Sequence, residues 1–333
     1  MKKIITILLM GFSLFLTGCD KKNDNKIVIA EVTHSVFYAP QYVAMSEGIF
    51  KKYDLDVSVI LTPGADKVMS AILSKEAQIG LMGPEASIYV YNQGRDDYAI
   101  SFAQLTKKDG SFLLGREYVD NFSLDMLNGS SIIAGREGGM PLMVLEYILK
   151  SNGLEIKRND SGANINIRSD IQFNAMSGAF IRGEGDYVSL FEPNASELEK
   201  NGNGYILASL GELSGDIPYT CYASIKSYIK KNSDKLERFT KAIYEAQMWV
   251  YSHTPLEIAE SIKGYFTENS VSELEVYVKR YMDIRAWSSD PLLTVEGFNK
   301  LNDIMIMAGE IDARADYSKL VNTEFANKAI KTL

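Results

Sequence analysis

Short apolar runs alternate along this chain with longer stretches whose apolar residues recur at helical spacing. KIVIAEV (Lys26 to Val32) is β-prone. QYVAMSEGIFKKY then places Tyr42, Met45, Ile49 and Phe50 on one helical face, with Gly48 as a helix stop. LDVSVILT alternates like a strand and breaks at Pro63-Gly64, and DKVMSAILSKEA sets Val68, Ile72 and Leu73 on one side of a helix. AQIGLMG predicts a short buried strand, PEASIYVYNQG a helix opened by proline, and YAISFAQL another strand. This stretch reads β-α-β-α-β-α-β, which implies a parallel sheet with helices on its faces. In such sheets ligands bind beyond the carboxyl ends of the strands, here the loops THSVFYAP, TPGAD and GPEA.

A second series follows SFLLGRE. SIIAG, NINIRS, DYVSL and GYILASL predict strands, and LMVLEYILKSNG and NAMSGAFIRG predict helices. IPYTCYASIKSYIKKN runs from strand into helix, and the chain beyond about Asn232 is amphipathic helix. No linker of low complexity separates the two series, which favours two lobes joined by crossing strands over two beads on a string.

The N-terminus has a different pattern. Lys2 and Lys3 precede an apolar run from Ile4 to Leu16, broken only by Gly11 and Ser13. A bilayer takes roughly 20 apolar residues, so this run predicts a signal peptide over residues 1–18. Leu16-Thr17-Gly18-Cys19 resembles the lipobox of bacterial lipoproteins, which implies a diacylglycerol on Cys19 as the new N-terminus. The polar stretch DKKNDNK has nothing to bury, so residues 19–25 predict a tether between lipid and folded protein.

Composition narrows the function. The net charge is -8 with no basic block, which argues against nucleic acid as a partner. With Cys19 given to lipid, Cys221 has no disulfide partner. His34 and His253 are the two histidines, and neither sits in a Cys/His cluster, so no metal and no cofactor is expected. No GxSxG, P-loop or GxGxxG is present, and no catalytic trio stands out, so the sequence does not predict an enzyme. Trp249 and Trp287 fall in helical patterns and read as core.

FYAPQYVAMSEGIFKKYDLDV, DKVMSAILSKEAQIGLMGPE, GREGGMPLMVLEYILKSNGL, FEP and IPYTCYASIKSYI together resemble the sulfonate, nitrate and thiamine-pyrimidine-precursor group of solute-binding proteins. Each motif is loose, but their order and spacing cover most of the chain after the tether. The resemblance implies an α/β, two-lobed periplasmic-binding-protein fold, type II-like, each lobe a mainly parallel sheet flanked by helices. Lobe one is then 26–110 plus 216–333, lobe two is 111–215, and two crossing strands form the hinge. It also implies a monomer, held outside the cytoplasmic membrane by its lipid, that hands a small molecule to an ABC permease and its ATPase.

Candidate ligand contacts lie in the strand-end loops. His34, Phe37, Tyr38 and Pro40 occupy the first loop, where the aromatic rings can stack on a flat ligand and His34 can hydrogen-bond it. Gly83, Pro84 and Glu85 open a helix whose free N–H groups can bind an acceptor, while Glu85 also suits the helix dipole. Arg136, Gly138, Gly139 and Met140 form a loop where two glycines allow close backbone approach before Pro141 starts a helix. The resemblance adds Glu192, whose carboxylate suits amino or ring N–H donors. Carboxylates beside aromatics lean toward a heteroaromatic such as a thiamine-pyrimidine precursor. A sulfonate, nitrate or other organic anion is the alternative, as is a pyrimidine-precursor synthase on the same fold, although its histidine- and cysteine-rich segment has no counterpart here. A surface receptor or sensor is a further alternative, but no spanning segment beyond the leader supports it.

Overall fold

The computed structural model describes residues 25–333. The leader, Cys19 and all of the tether except Asn25 lie outside the described residues. The chain opens with β1 (Lys26–Glu31), α1 (Ala39–Ser46), α2 (Ile49–Lys52), β2 (Asp56–Leu61), α3 (Ala65–Leu73), β3 (Ile79–Met82), α4 (Glu85–Asn92) and β4 (Ala99–Thr106). The single helix expected after β1 is two: Gly48, at φ +68°, takes the left-handed conformation that turns the chain between α1 and α2.

The chain then crosses to a second sheet. It runs through β5 (Ser111–Gly115), β6 (Ser131–Ile133), α5 (Met140–Ser151), β7 (Ile156–Arg158), β8 (Ile165–Arg168), α6 (Met176–Ile181), β9 (Tyr187–Phe191), α7 (Asn194–Lys200), β10 (Tyr205–Ser209) and α8 (Leu210–Ser214). It returns as β11 (Thr220–Ile225), then α9 (Lys226–Lys231) and α10 (Ser233–Ser252). The remaining helices are α11 (Pro255–Ile262), α12 (Val271–Asp283), α13 (Val295–Met307), α14 (Tyr317–Leu320) and α15 (Glu324–Thr332).

The two sheets are mixed. The first has the order β2-β1-β3-β11-β4 and the second β10-β5-β9-β6-β8-β7. The βαβ units give parallel pairs, β1 with β2 and β3, and β6 with β8 and β9. The strands that carry the crossings depart from the expected parallel pattern. β11 enters the first sheet antiparallel to both β3 and β4, and β5 lies antiparallel to β9 and β10.

The helical segments bury one stripe each. In α10, Leu236, Phe239, Ile243, Ala246 and Val250 face inward at spacings of three and four, and Phe239 stacks on Phe50 at 5.3 Å. Burying a side chain of that size contributes about 1.5–3 kcal/mol. Capping boxes start α11 (Thr254 with Glu257) and α12 (Ser270 with Glu273). The latter fixes the helix that reaches both lobes: Arg280 on α12 pairs with Glu199 of α7 at 3.0 Å, and Lys200 pairs with Glu273 at 2.6 Å.

Candidate functional site

The carboxyl ends of β1, β3, β6 and β9 meet where the two lobes face each other. Few bonds cross that face. Ser35 Oγ donates to the Glu192 carbonyl at 2.7 Å, Tyr89 Oη donates to the Gly138 carbonyl at 3.3 Å, and Arg136 pairs with Asp66. The lobes are therefore in contact, with the strand-end loops enclosed.

Phe37 sits at the centre. It is fully buried, with ring centroids 5.5 Å from Phe191, 5.7 Å from Tyr219 and 5.2 Å from Tyr281. Its ring lies on Gly110: a Cβ there would come within 2.5 Å of two ring carbons. The Phe37 carbonyl accepts from Trp287 Nε1 at 2.9 Å, so the tryptophan read as core also fixes this loop. Tyr38 is buried beside it, and Pro40 lies within the first turn of α1.

Glu85 is the outstanding charged group. It is 2% exposed, its side chain folds back over Gly83, and Oε2 has no hydrogen-bond partner among the described residues. Burial pushes its carboxyl up to about 8. Pro84 is the N-cap of α4, so Gly83 leaves room for the carboxylate and the proline sets the helix start.

Glu192 is equally buried but occupied. Its oxygens accept from Ser196 N at 2.9 Å and Ser196 Oγ at 2.8 Å, and Arg280 Nε stands 3.4 Å away. Burial still outweighs Arg280 and raises its carboxyl to about 7. Arg136 is half-exposed at the rim and engaged with Asp66. Gly138, at φ +74°, turns its carbonyl to Tyr89, Gly139 is the N-cap of α5, and Met140 is buried.

His34 faces another part of lobe one. Its ring stacks on Phe266 at 4.5 Å, and Nε2 lies 2.9 Å from the Tyr265 carbonyl, so Nε2 carries the proton. Nδ1 sits 3.3 Å from buried Glu31 and 2.7 Å from Tyr42 Oη. The hydrogen bond to Glu31 raises its pKa against the effect of burial.

Sequence reasoning missed Asp109, Tyr219 and Tyr281. Tyr281 Oη donates to the Gly110 carbonyl and accepts from Glu192 N, joining hinge to lobe two. An amphipathic helix gives no signal that one tyrosine reaches a cleft. Asp109 lies in KKDG, which reads as a solvated turn, yet it is fully buried.

Among the described residues no group of three or more His, Cys, Asp or Glu side chains could hold a metal ion. Cys221 is buried, and burial pushes its thiol well above the usual range, so it remains protonated and unreactive. Two surface hollows, of about 490 and 280 Å³, lie elsewhere, one beside β7 and one behind the hinge. Among the described residues no helix is long and apolar enough to cross a membrane.

Two sheets joined by two crossings, with strand-end loops enclosed between them, make up the two-lobed periplasmic-binding-protein fold. The chain belongs to the NMT1-like family, whose pattern matches residues 32–263. It is 44% identical over 319 residues to YtlA of Bacillus subtilis (strain 168), which carries the name of a binding protein; the match covers 95% of this chain and 94% of that one. The fold also matches the alkanesulfonate-binding protein SsuA of Xanthomonas axonopodis pv. citri bound to MOPS. That match has a TM-score of 0.71 at 14% identity, covering 90% of this chain and 98% of the other. The nitrate-binding protein NrtA of Synechocystis PCC 6803 matches with a TM-score of 0.72 at 15% identity, covering 93% and 89%. These relatives are named as binding proteins, not as enzymes.

Proposed function

We propose that the chain, anchored outside the cytoplasmic membrane by lipid on Cys19 and acting as a monomer, captures a small flat molecule with N–H donors and presents it to an ABC permease. Lobe one is 26–110 plus 216–333 and lobe two 111–215, with the hinge where the chain crosses between the sheets. An aminopyrimidine of the thiamine-precursor kind fits this description. The single observation that carries the reading is the buried Glu85 carboxyl, with one oxygen unpartnered and near enough to Tyr38 for its charge to raise that hydroxyl's pKa. Leaving such a group unsatisfied costs about 1–3 kcal/mol, more when charged, and a ligand N–H relieves that cost. Phe37, Tyr38, Gly83, Pro84, Gly138, Gly139 and Met140 frame the enclosed volume. Arg136 closes the rim, Glu192 shapes the far wall through Ser196 and Arg280, and His34 supports the first loop from behind.

Sulfonate and nitrate, bound by the two named structural neighbours, are the second reading, favoured by the N-termini of α4 and α5. An oxyanion there would lie against a buried acid, so it is the weaker fit. The test is calorimetry on the purified protein with 4-aminopyrimidine and with ethanesulfonate. The aminopyrimidine should bind wild type, and Glu85→Gln should weaken it tenfold or more: a ligand N–H donor draws the buried carboxyl into its ionised form, and a hydrogen bond to a charged group contributes about 1.5–3 kcal/mol. Binding of ethanesulfonate alone would reverse the ligand assignment.

A further inference from the structure

His34 is held at both ring nitrogens. Nε2 faces the Tyr265 carbonyl at 2.9 Å, and Nδ1 faces Tyr42 Oη at 2.7 Å with Glu31 Oε1 at 3.3 Å. Tyr42 Oη stands 2.6 Å from the same Glu31 oxygen. The other Glu31 oxygen accepts from Gln41 Nε2 at 2.9 Å, and Tyr222 donates to Gln41 Oε1 at 3.2 Å, which fixes the direction of that amide. Glu31, Gln41 and Tyr222 are buried, while the His34 side chain is 42% exposed.

Counting protons in this cluster decides its charge. A carbonyl only accepts, so Nε2 carries a proton. Tyr42 has one proton for two neighbours, Nδ1 and Glu31 Oε1, and burial together with the Glu31 charge keeps that phenol protonated. A neutral ring beside a carboxylate is therefore one proton short, and two acceptors would face each other whichever tautomer the ring took. The missing proton belongs on the imidazole, ordinarily a stronger base than a carboxylate. The hydrogen bond to Glu31 raises the His34 pKa, and the Tyr265 carbonyl adds to this, against the effect of burial. The groups facing the ring are Glu31 from β1, Tyr42 from α1 and Tyr265 from the turn after α11. Tyr38 and Tyr222 lie further along the cluster and burial keeps both neutral, while Lys263 turns its Nζ to the carbonyls of Phe266 and Thr267.

Both elements that His34 joins reach the other lobe. The next residue, Ser35, donates to the Glu192 carbonyl at 2.7 Å. On the other side the ring stacks on Phe266, and that turn runs through Asn269, whose Nδ2 lies 3.4 Å from Glu197 Oε1, into α12, where Tyr281 Oη accepts from Glu192 N. The geometry points to His34 as a positioning residue: as an imidazolium it pins the first cleft loop to the turn before α12, and loss of its proton releases the pin and lets the cleft open. The pin holds at pH below the titration of the ring and fails as pH rises through it. The proposal rests on two lobes that close over a ligand, whatever that ligand is.

The test needs no ligand. Nitrogen-15 spectra of the two histidine rings, assigned with His34→Gln, follow the titration of His34, and small-angle scattering at the same pH values, from about 5.5 to 9, follows the radius of gyration. In wild type both ring nitrogens should be protonated at the acid end, the midpoint should lie above the 6.5 of an ordinary histidine, and the radius should rise across the same range. His34→Gln should show the larger radius already at the acid end and no step. Glu31→Gln, which removes the charge beside the ring, should move both midpoints to lower pH together. Circular dichroism checks that each variant folds, and if Glu31→Gln does not, wild type and His34→Gln still decide. Burial brings the ionisation of Glu85, Glu192 and Asp109 into the same range, so a step that survives in His34→Gln belongs to them and overturns the proposal. A His34 ring with one bare nitrogen throughout overturns it too, as does a radius that stays constant while the ring titrates. None of these outcomes touches the aminopyrimidine reading, which calorimetry decides by itself.

Discussion

At the scale of single residues the cleft is dominated by acids kept from ionising. Glu85 rises to about 8, Asp109 to about 7 and Glu192 to about 7, each chiefly through burial. The unfolded chain ionises these groups near 4, so between about pH 4.5 and 7–8 the ligand-free native state binds more protons than the unfolded state. Stability therefore falls as pH rises through that window, by about 1.4 kcal/mol per pH unit for each fully shifted group. His34 acts in the same direction: its raised pKa gives stability below about 6.5 that is lost as pH climbs through the folded value. The Glu85 share is separable. Melting curves of ligand-free protein from pH 4.5 to 8.5 should slope downward, and Glu85→Gln should flatten the slope while raising the melting temperature at pH 8. An unchanged slope would mean that the Glu85 carboxylate has a partner in solution.

At the scale of elements, the crossing from β4 to β5 sets the position of the first loop. Gly110 is the contact point, because the Phe37 ring occupies the space a side chain would need and is itself boxed in by Phe191, Tyr219 and Tyr281. Gly110→Ala should cost about 1–3 kcal/mol by overpacking and weaken aminopyrimidine binding, read by chemical denaturation and calorimetry. Wild-type stability and affinity in that variant would show that the ring has room to move. The strands and helices themselves were legible in the sequence because their apolar residues follow periods of two and of 3.6. Exceptions are β7, three residues with two cations and too short for a pattern, and the short helices α7 and α8, of seven and five residues, which the sequence reading did not assign. Strand direction was less legible: β11 is antiparallel because of where the returning crossing enters, and local pattern carries no record of that. The aromatic loop and Glu85 could be read from their places at strand ends. Asp109 and Tyr219 could not, since KKDG has the composition of a surface turn and only the packing of two distant crossings buries it. Arg136 and Glu192 were legible as charges, but not their partners Asp66, Ser196 and Arg280, which arrive from other elements.

At the scale of the whole molecule, the balance between open and closed forms depends on how weakly the lobes hold each other without ligand. The contacts across the cleft mouth are sparse and polar, and the Arg136–Asp66 pair is 37% and 51% exposed on its two side chains. A pair so exposed contributes about 0–1 kcal/mol and is screened by salt. Deeper in, buried Glu146 and half-buried Glu310 flank Arg158, and Glu192 and Glu199 flank Arg280, which ties the turn after α13 and the helix α12 to lobe two. The Arg280 tie is partly buried and reaches Glu192, whose N–H bonds Tyr281 beside Gly110 of the crossing, so it stays formed while the mouth opens. The lobes then swing about the hinge with the rim ion pair as the contact most easily broken. Arg136→Ala should shift ligand-free protein toward the open form, visible in small-angle scattering as a larger radius of gyration that wild type approaches only at high salt. Affinity for an aminopyrimidine should fall by no more than about fivefold, since the pair stabilises closure without touching the ligand. A loss of a hundredfold would place Arg136 on the ligand instead, and an unchanged scattering profile at all salt concentrations would mean that the closed form is held by the ties around Arg158 and Arg280.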